Sequence, residues 1–329
     1  MRPALVLSFD VQPDLVGTMD IQIPSLAWEP LPEGRFRRVY YLAEKAVTVD
    51  VAEGVGALHF FYTAPTSAAA SELETLLRRS FPRMIGSLVL DANPTLRSLH
   101  HRYQGVIIMH SDPFEALVLT ILSQNRTGEI VRKVYPALDA RCRGVTPRSL
   151  ITLGTEDLRE VIRSAGPYKA PRLTQTAAQI LVEGEDTFHR RVVEAPGGQA
   201  LAYLESFPGV AHKTAACVLV FSALSTTTLP VDTHLFRVVD RLGLAHHNGT
   251  NNKTTREAVI TRLLAYGPDL APAHFLFLLV GRDTCLKAAP SCPVCFLRPH
   301  CRFATSSSRT KSALPAAPPV AAARTRRRT

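Results

Sequence analysis

No run of about 18 or more apolar residues occurs in the sequence, so no membrane-spanning helix is expected. The opening residues, MRPALVLSFDVQPD, lack the long apolar block of a secretory leader. No internal repeat is detectable, which excludes a repeat architecture. Cysteine is scarce: there are six, of which Cys142 and Cys217 stand alone and four crowd between Cys285 and Cys301. Without a leader, that usage argues for thiols in a reducing compartment, cytoplasmic or nucleoid-associated, rather than a disulfide framework. The segment from Ala304 to Thr329 contains neither an aromatic nor an acidic residue. With little to bury, it is expected to be disordered.

What is present starts with length and charge. A chain of 329 residues is long enough for two domains with a substantial core. The formal charge of +10 suggests a polyanionic partner. Six of the ten come from the terminal segment, through Arg309, Lys311, Arg324, Arg326, Arg327 and Arg328. About +4 is left for the folded part, enough for a basic face if it is gathered on one side.

The hydrophobic period changes along the chain. Up to about residue 65 it alternates as in strands. Met19, Ile21 and Ile23 share one face against Asp20 and Gln22, and Val47, Val49 and Val51 repeat this against Thr48 and Asp50. Glu33-Gly34 and Gly54/Gly56 offer turns, and a helix over Ala68–Arg79 closes the module. From about Asp91 the period is helical. Asp112 reads as an N-cap, with Pro113 in the first helical position and Glu115 completing a capping box. Further helices are expected over Thr155–Gly166, Arg172–Leu181, Gln199–Ser206, Lys213–Ala223, Thr233–Leu242, Thr254–Ala265 and Pro272–Val280. The expected organisation is α+β. A β-rich domain with a small antiparallel sheet covers 1–90, an all-α core 91–280, a cysteine loop 281–303 and a basic tail 304–329.

Three motifs carry chemistry. In ESFPGVAHKTA an apolar helix meets a Pro208-Gly209 turn and a second helix starting near Lys213. A turn opening onto a helix start presents backbone N–H groups, with the positive end of the dipole behind them, to a phosphate. The helix after Lys213 is apolar on all sides, hence buried. A lysine at its mouth is expected in a dry pocket with a lowered pKa, able to act as a nucleophile. Nineteen residues on, in VDTHLFRVVDRLG, Asp232 reads first as an N-cap. Beside Lys213 its carboxylate could also stabilise a cationic sugar at a transition state. Third, Cys285, Cys292, Cys295 and Cys301 follow a C-x6-C-x2-C-x5-C spacing, which admits zinc or an iron–sulfur cluster.

PGVAHKTA, then VDTHLFRV, then the four cysteines, resemble the helix-hairpin-helix DNA glycosylases of the endonuclease III type, from about Asp112 to Phe303. The resemblance implies that Lys213 is the Schiff-base lysine and Asp232 the catalytic aspartate. It implies a [4Fe-4S] cluster on Cys285, Cys292, Cys295 and Cys301. It also implies hairpin contact with DNA through Gly209, Ala211 and His212. LSQNRT is similar to the loop that enters the duplex when a base is flipped out, making Asn125, with Gln124 beside it, the residue that fills the gap. The alternative for that loop is a polar helix end. GPYKAPR, with Gly166, Tyr168 and Arg172, resembles the start of the next helix in the family.

Some positions depart from that pattern. Ala211 stands where the hairpin has its second glycine, at a cost of roughly 1 kcal/mol if the position needs φ > 0. Gly128 replaces an acidic residue, and Ile121 stands where adenine-mismatch glycosylases carry a glutamate. The β-rich front end and LDANPTLRSLHHRYQG resemble 8-oxoguanine and alkylpurine glycosylases. Cys217 reads either as a small core residue or as a contact to the flipped base. The expected partner is therefore double-stranded DNA containing damaged bases or abasic sites, bound by a monomer. The reading is a bifunctional glycosylase for oxidised pyrimidines. Its alternatives are the same chemistry on an oxidised or alkylated purine, and a catalytically silent DNA-binding lesion or redox sensor.

Overall fold

The computed structural model describes residues 2–42, 45–85, 93–223, 227–245, 252–267 and 269–307. Five strands form an antiparallel sheet: β1 (Leu5–Ser8), β2 (Glu29–Pro30), β3 (Phe36–Leu42), β4 (Lys45–Gly54) and β5 (Ala57–Phe61), in the order β1-β5-β4-β3-β2. Val47, Val49 and Val51 of β4 are buried on one face, as alternation requires. The expected turns hold, with Glu33 and Gly34 at φ 61° and 69° and Gly56 at φ 61°. Helix α2 (Ser67–Ser80), capped by Thr66, buries Ala69, Leu73 and Leu77 against this sheet side of the molecule.

The strand expected through Met19–Ile23 is instead helical. Helix α1 (Leu15–Ile21) is capped by the Asp14 carboxylate and followed by a 3-10 turn over Pro24–Ala27. Asp14 and Pro24 bracket a segment whose buried residues, Leu15, Thr18 and Met19, recur at spacings of three and four. A two-residue ladder, β6 (Arg83–Met84) with β7 (Ile107–Ile108), joins the two sides of residue 90, with α3 (Pro94–Tyr103) between them.

The helices that follow are α4 (Pro113–Ser123), α5 (Gly128–Cys142), α6 (Pro147–Leu153), α7 (Thr155–Val161), α8 (Ala170–Glu183), α9 (Glu185–Val193), α10 (Gly197–Glu205), α11 (His212–Ser222), α12 (Thr233–Leu242), α13 (Lys253–Leu264) and α14 (Ala271–Asp283). Most match the periodicity, and α12 does so residue for residue. Helices α5, α6 and α9 add to those expected. At the centre α4 and α11 pack side by side and antiparallel. The Ser111 N–H, just before α4, donates to the Phe221 carbonyl near the end of α11 (2.8 Å). Asp112 caps α4 as expected, accepting from the Phe114 and Glu115 N–H groups. The capping box does not close, because the Glu115 carboxylate is drawn to Arg38 on β3 and to the Tyr135 hydroxyl. Helix α15 (Arg302–Ser307) shortens the expected tail, since residues 304–307 are helical and Ala304 is buried. The rest of that tail lies outside the described residues. Among the described residues no helix is long and apolar enough to cross a membrane.

Candidate active site

The turn before α11 is built around Gly209. Its φ is +75°, which favours glycine, and a Cβ there would meet the Arg172 side chain at 2.7 Å and push that flexible side chain aside. Ala211 carries no such requirement. It is the N-cap of α11 in extended backbone, φ −94° and ψ 171°, so the strain expected of a missing glycine does not arise. From Thr214 onward α11 is almost wholly buried. Lys213, in its first turn, is exposed. The dry pocket expected around the ammonium is therefore not formed by the protein alone, because the side chain stands beyond the buried part of its helix.

Asp232 is the N-cap of α12, and its Oδ1 accepts from the His234 N–H (2.9 Å) and the Leu235 N–H (2.8 Å). Both cap bonds fall on one oxygen, which leaves Oδ2 for other work. The structural and the chemical readings of Asp232 are thus compatible in one carboxylate.

Lys213 and Asp232 act together on two further groups. The Cys217 thiol is pushed up to about 12 by burial, with Lys213 opposing and Asp232 adding to the shift. The His274 imidazole is pushed down to about 4 by burial; Asp232 raises it, Lys213 lowers it further, and donation to the Pro230 carbonyl raises it. Near neutral pH Lys213 and Asp232 therefore stand beside a neutral thiol and a neutral imidazole. His274 on α14 is 5% exposed, and its Nδ1 is buried with no partner among the described residues. Sequence reasoning passed over it. Its one signal was a lone polar residue in the apolar run APAHFLFLLV.

A contiguous surface leads away from Lys213. Asn125 is exposed with φ +57°, at the tip of the loop after α4. Gln124 does not project with it. Its Nε2 donates to the Gly209 carbonyl and to Thr214 Oγ1, both at 3.0 Å, tying the loop to the hairpin and to α11. His212 is turned towards α10, with Nδ1 2.9 Å from Glu205 Oε1. Arg126 reaches the Ser164 and Asn125 carbonyls. Tyr168 is 48% exposed beside Gly166, and the Arg172 guanidinium lies 5.8 Å from its ring centre. Beneath this patch Lys169 is fully buried, its Nζ donating to the Leu122 and Gln124 carbonyls at 2.8 Å each. A buried lysine closing the C-terminal end of α4 was not foreseen, because nothing in PYKAP marks it as internal.

The four clustered cysteines line one pocket with Val238, Leu242, Val280, Leu297 and Phe303. Arg241 Nη1 donates to Cys285 Sγ (3.4 Å) and to the Leu286 carbonyl (2.7 Å), and its guanidinium covers the Phe303 ring. Arg237 binds the Gly281 and Cys285 carbonyls at 2.7 and 2.8 Å. Among the described residues, no three His, Cys, Asp or Glu side chains are gathered as for a single metal ion. Four thiols in an apolar wall, with a guanidinium donating to one sulfur, are the donor set and surroundings that suit an iron–sulfur cluster.

Comparison with known proteins gives the family and the fold. Residues 118–262 match the family described as "HhH-GPD superfamily base excision DNA repair protein". Endonuclease III of Thermotoga maritima is 33% identical over 199 residues, covering 59% of this chain and 84% of that protein. Endonuclease III of Escherichia coli is 32% identical over 199 residues, covering 59% of this chain and 85% of that protein. The fold extends further. The 8-oxoguanine glycosylase/lyase of Clostridium acetobutylicum, solved with double-stranded DNA, superposes with a TM-score of 0.65 at 18% identity, over 85% of this chain and 98% of that one. The chain belongs to the HhH-GPD superfamily of base excision DNA repair proteins. It is a DNA glycosylase, an enzyme whose partner is DNA.

Proposed function

We propose that the chain is a bifunctional glycosylase, which removes a damaged base through Lys213 and then nicks the strand. What carries this reading is that Lys213 and Asp232 converge on the same two neighbours, the half-buried Cys217 and the buried His274. The Lys213 amine, once deprotonated, attacks C1′ of a flipped nucleotide. The C1′–N bond breaks, its electron pair leaves with the base, and the base takes up a proton. Asp232 Oδ2 stabilises the positive charge that grows on the sugar. Opening of the sugar gives an imine between Nζ and C1′. That imine acidifies the C2′ hydrogen, and β-elimination then expels the 3′ phosphate. Because Lys213 is exposed in the protein alone, the duplex itself supplies the missing enclosure.

Asn125 fills the space left by the extruded nucleotide, while Gln124 holds its loop against the hairpin. Gly209, Ala211 and His212 lie along the phosphate path. Cys285, Cys292, Cys295 and Cys301 would hold a [4Fe-4S] cluster, whose role here is to fix the loop against α12. The preferred substrate is an oxidised pyrimidine. Cys217 supports a second reading, an oxidised or alkylated purine, because it lies in the same group as the catalytic pair.

Borohydride trapping tests the central step. Wild-type protein should form a covalent adduct on an internal damaged or abasic site, and Lys213→Gln should form none while keeping its affinity for DNA. An undiminished adduct in Lys213→Gln would move the nucleophile elsewhere. A panel of single-lesion duplexes, scored for base release, separates the pyrimidine and purine readings.

A further inference from the structure

A cleft of about 320 Å3 lies between the sheet and the helical core. It is walled by β3, the last turn of α2, the N-terminal end of α4, and parts of α5 and α9. It is remote from Lys213. Helix α4 presents its N-terminal end to the cleft and its other end to the hairpin, and eleven residues at 1.5 Å each separate the two by about 16 Å.

We propose that this cleft binds a small organic cation of the amine, amidine or guanidine class, held by Asp139 and Glu115 between aromatic walls. Four carboxylates line it (Asp112, Glu115, Asp139 and Glu185) against two guanidinium groups, Arg38 and Arg79. Arg38 Nη2 bonds Glu115 while its Nε is buried without a partner, and Arg79 Nη2 lies 3.0 Å from His189 Nε2. Asp112 caps α4. Asp139 is 8% exposed, and one of its oxygens accepts from the Val145 N–H at 3.0 Å. Among the described residues its other oxygen accepts no hydrogen bond, and no side chain pairs with it directly. Burial accordingly pushes its carboxyl up to about 6, although Arg38 opposes the shift. An ammonium or amidinium placed there would offset that burial cost.

The remaining valences of the cleft are mixed: Arg38 Nε and Ser111 Oγ are buried without partners, and acceptors suited to an N–H-rich guest stand beside them. Arg38 and Tyr135 both bond Glu115 Oε1, leaving Oε2 open. His110 is 4% exposed and lines the cleft, and its Nε2 is buried without a partner. Burial, with Arg83 adding, holds that imidazole down at about 4, so it is neutral and one of its ring nitrogens can accept. Tyr40, Phe114, Tyr135 and Phe188 line the cleft, and the Arg38 guanidinium already lies 4.5 Å over the Tyr40 ring, a cation–aromatic contact of the kind the guest would repeat. An anion of the same size would face the four carboxylates instead.

Benzamidine and agmatine, titrated calorimetrically into the full chain without DNA, test the proposal. The groups facing Asp139 are Arg38, Tyr40 and Tyr41 from β3, Glu115 from α4, and Tyr135 and Cys142 from its own helix. The Asp139 carboxyl is pushed up to about 6, so affinity should be highest at pH 8 and fall roughly tenfold by pH 5 as it protonates. Asp139→Asn, which keeps the acceptor for Val145, should weaken binding at least about tenfold at pH 8 and remove the pH dependence. Should that variant fail to fold, Leu76→Trp, which fills the cleft from its wall, should abolish binding instead. Asp232→Asn should bind both probes as the wild type does. No saturable heat at about 10 mM probe would overturn the proposal. So would binding that ignores pH, or binding lost in Asp232→Asn, which would place the cation at the catalytic pair.

Discussion

Replacing Asp232 separates its two duties, because the cap bonds and the proposed chemistry use different properties of one carboxylate. Both cap bonds end on Oδ1. Asparagine keeps an oxygen in that place, so Asp232→Asn should cost little stability. Asp232→Ala strips the cap from α12 and should cost about 1 kcal/mol, within the range of 0.5–2 found for N-caps. For a domain of this size that is about 2–4 °C in Tm. Base release should follow a different pattern. Both variants remove a negative charge from beside the developing sugar cation, which is worth about 2.7–4 kcal/mol, or roughly 100- to 1,000-fold in rate. Single-turnover base release on a lesion duplex, run alongside thermal melts, resolves the two effects. Cleavage of a preformed abasic site should suffer less, since no base then has to leave. If Asp232→Asn released base within about threefold of the wild-type rate, the carboxylate would be a cap and nothing more.

Lys169→Met should cost about 2–4 kcal/mol in denaturant unfolding, because the Leu122 and Gln124 carbonyls both lose their buried donor; a loss under about 0.5 kcal/mol would show that they find other partners. Acid should destabilise the fold as pH drops from 6.5 towards 4. His110 and His274 sit at about 4 when folded against 6.5 when unfolded, so the unfolded chain binds more protons there, at up to about 3 kcal/mol each. Asp139 acts in the opposite sense, gaining as pH falls through about 6, so His110→Asn should visibly flatten the net slope of Tm against pH. Cys292→Ser should lower iron and sulfide per chain and loosen the loop around Arg241, as read by proteolysis, while the sheet stays folded; stoichiometric zinc without iron in the wild type would refute the cluster. Deleting the chain after Ser307 should weaken binding to any DNA and make its salt dependence shallower, leaving base excision intact at saturating DNA; loss of excision there would give the basic tail a specific role.

Much of the helical architecture was legible because caps and periods are local. Asp112 and Asp232 begin helices where their side chains receive backbone N–H groups, Thr155 opens α7 as expected without capping it, and α12 matched at both ends. Local rules failed where a distant partner decided. Glu115 has the spacing of a capping box, but Arg38, 77 residues earlier, takes its carboxylate. Met19, Ile21 and Ile23 alternate like a strand, yet the Asp14 cap starts a helix there, one that packs beside α14 and β7. Ala211 looked like a strained hairpin position because sequence gives residue type and not φ.

The sequence by itself determined the chemistry available. It contains one lysine behind a Pro-Gly turn, one aspartate nineteen residues on and four cysteines at a fixed spacing, because such motifs are short and their spacing is set along the chain. Only the tertiary structure decided which neighbours those groups meet. It turned Gln124 inward to the hairpin and left Asn125 exposed, brought His274 to Lys213 and Asp232 and sealed Lys169 under the loop. It also opened a polar cleft between sheet and helices that no motif announces. The physical reason is that burial, and with it the charge state of an imidazole or a carboxyl, depends on what packs against the group from far along the chain. No local pattern encodes that.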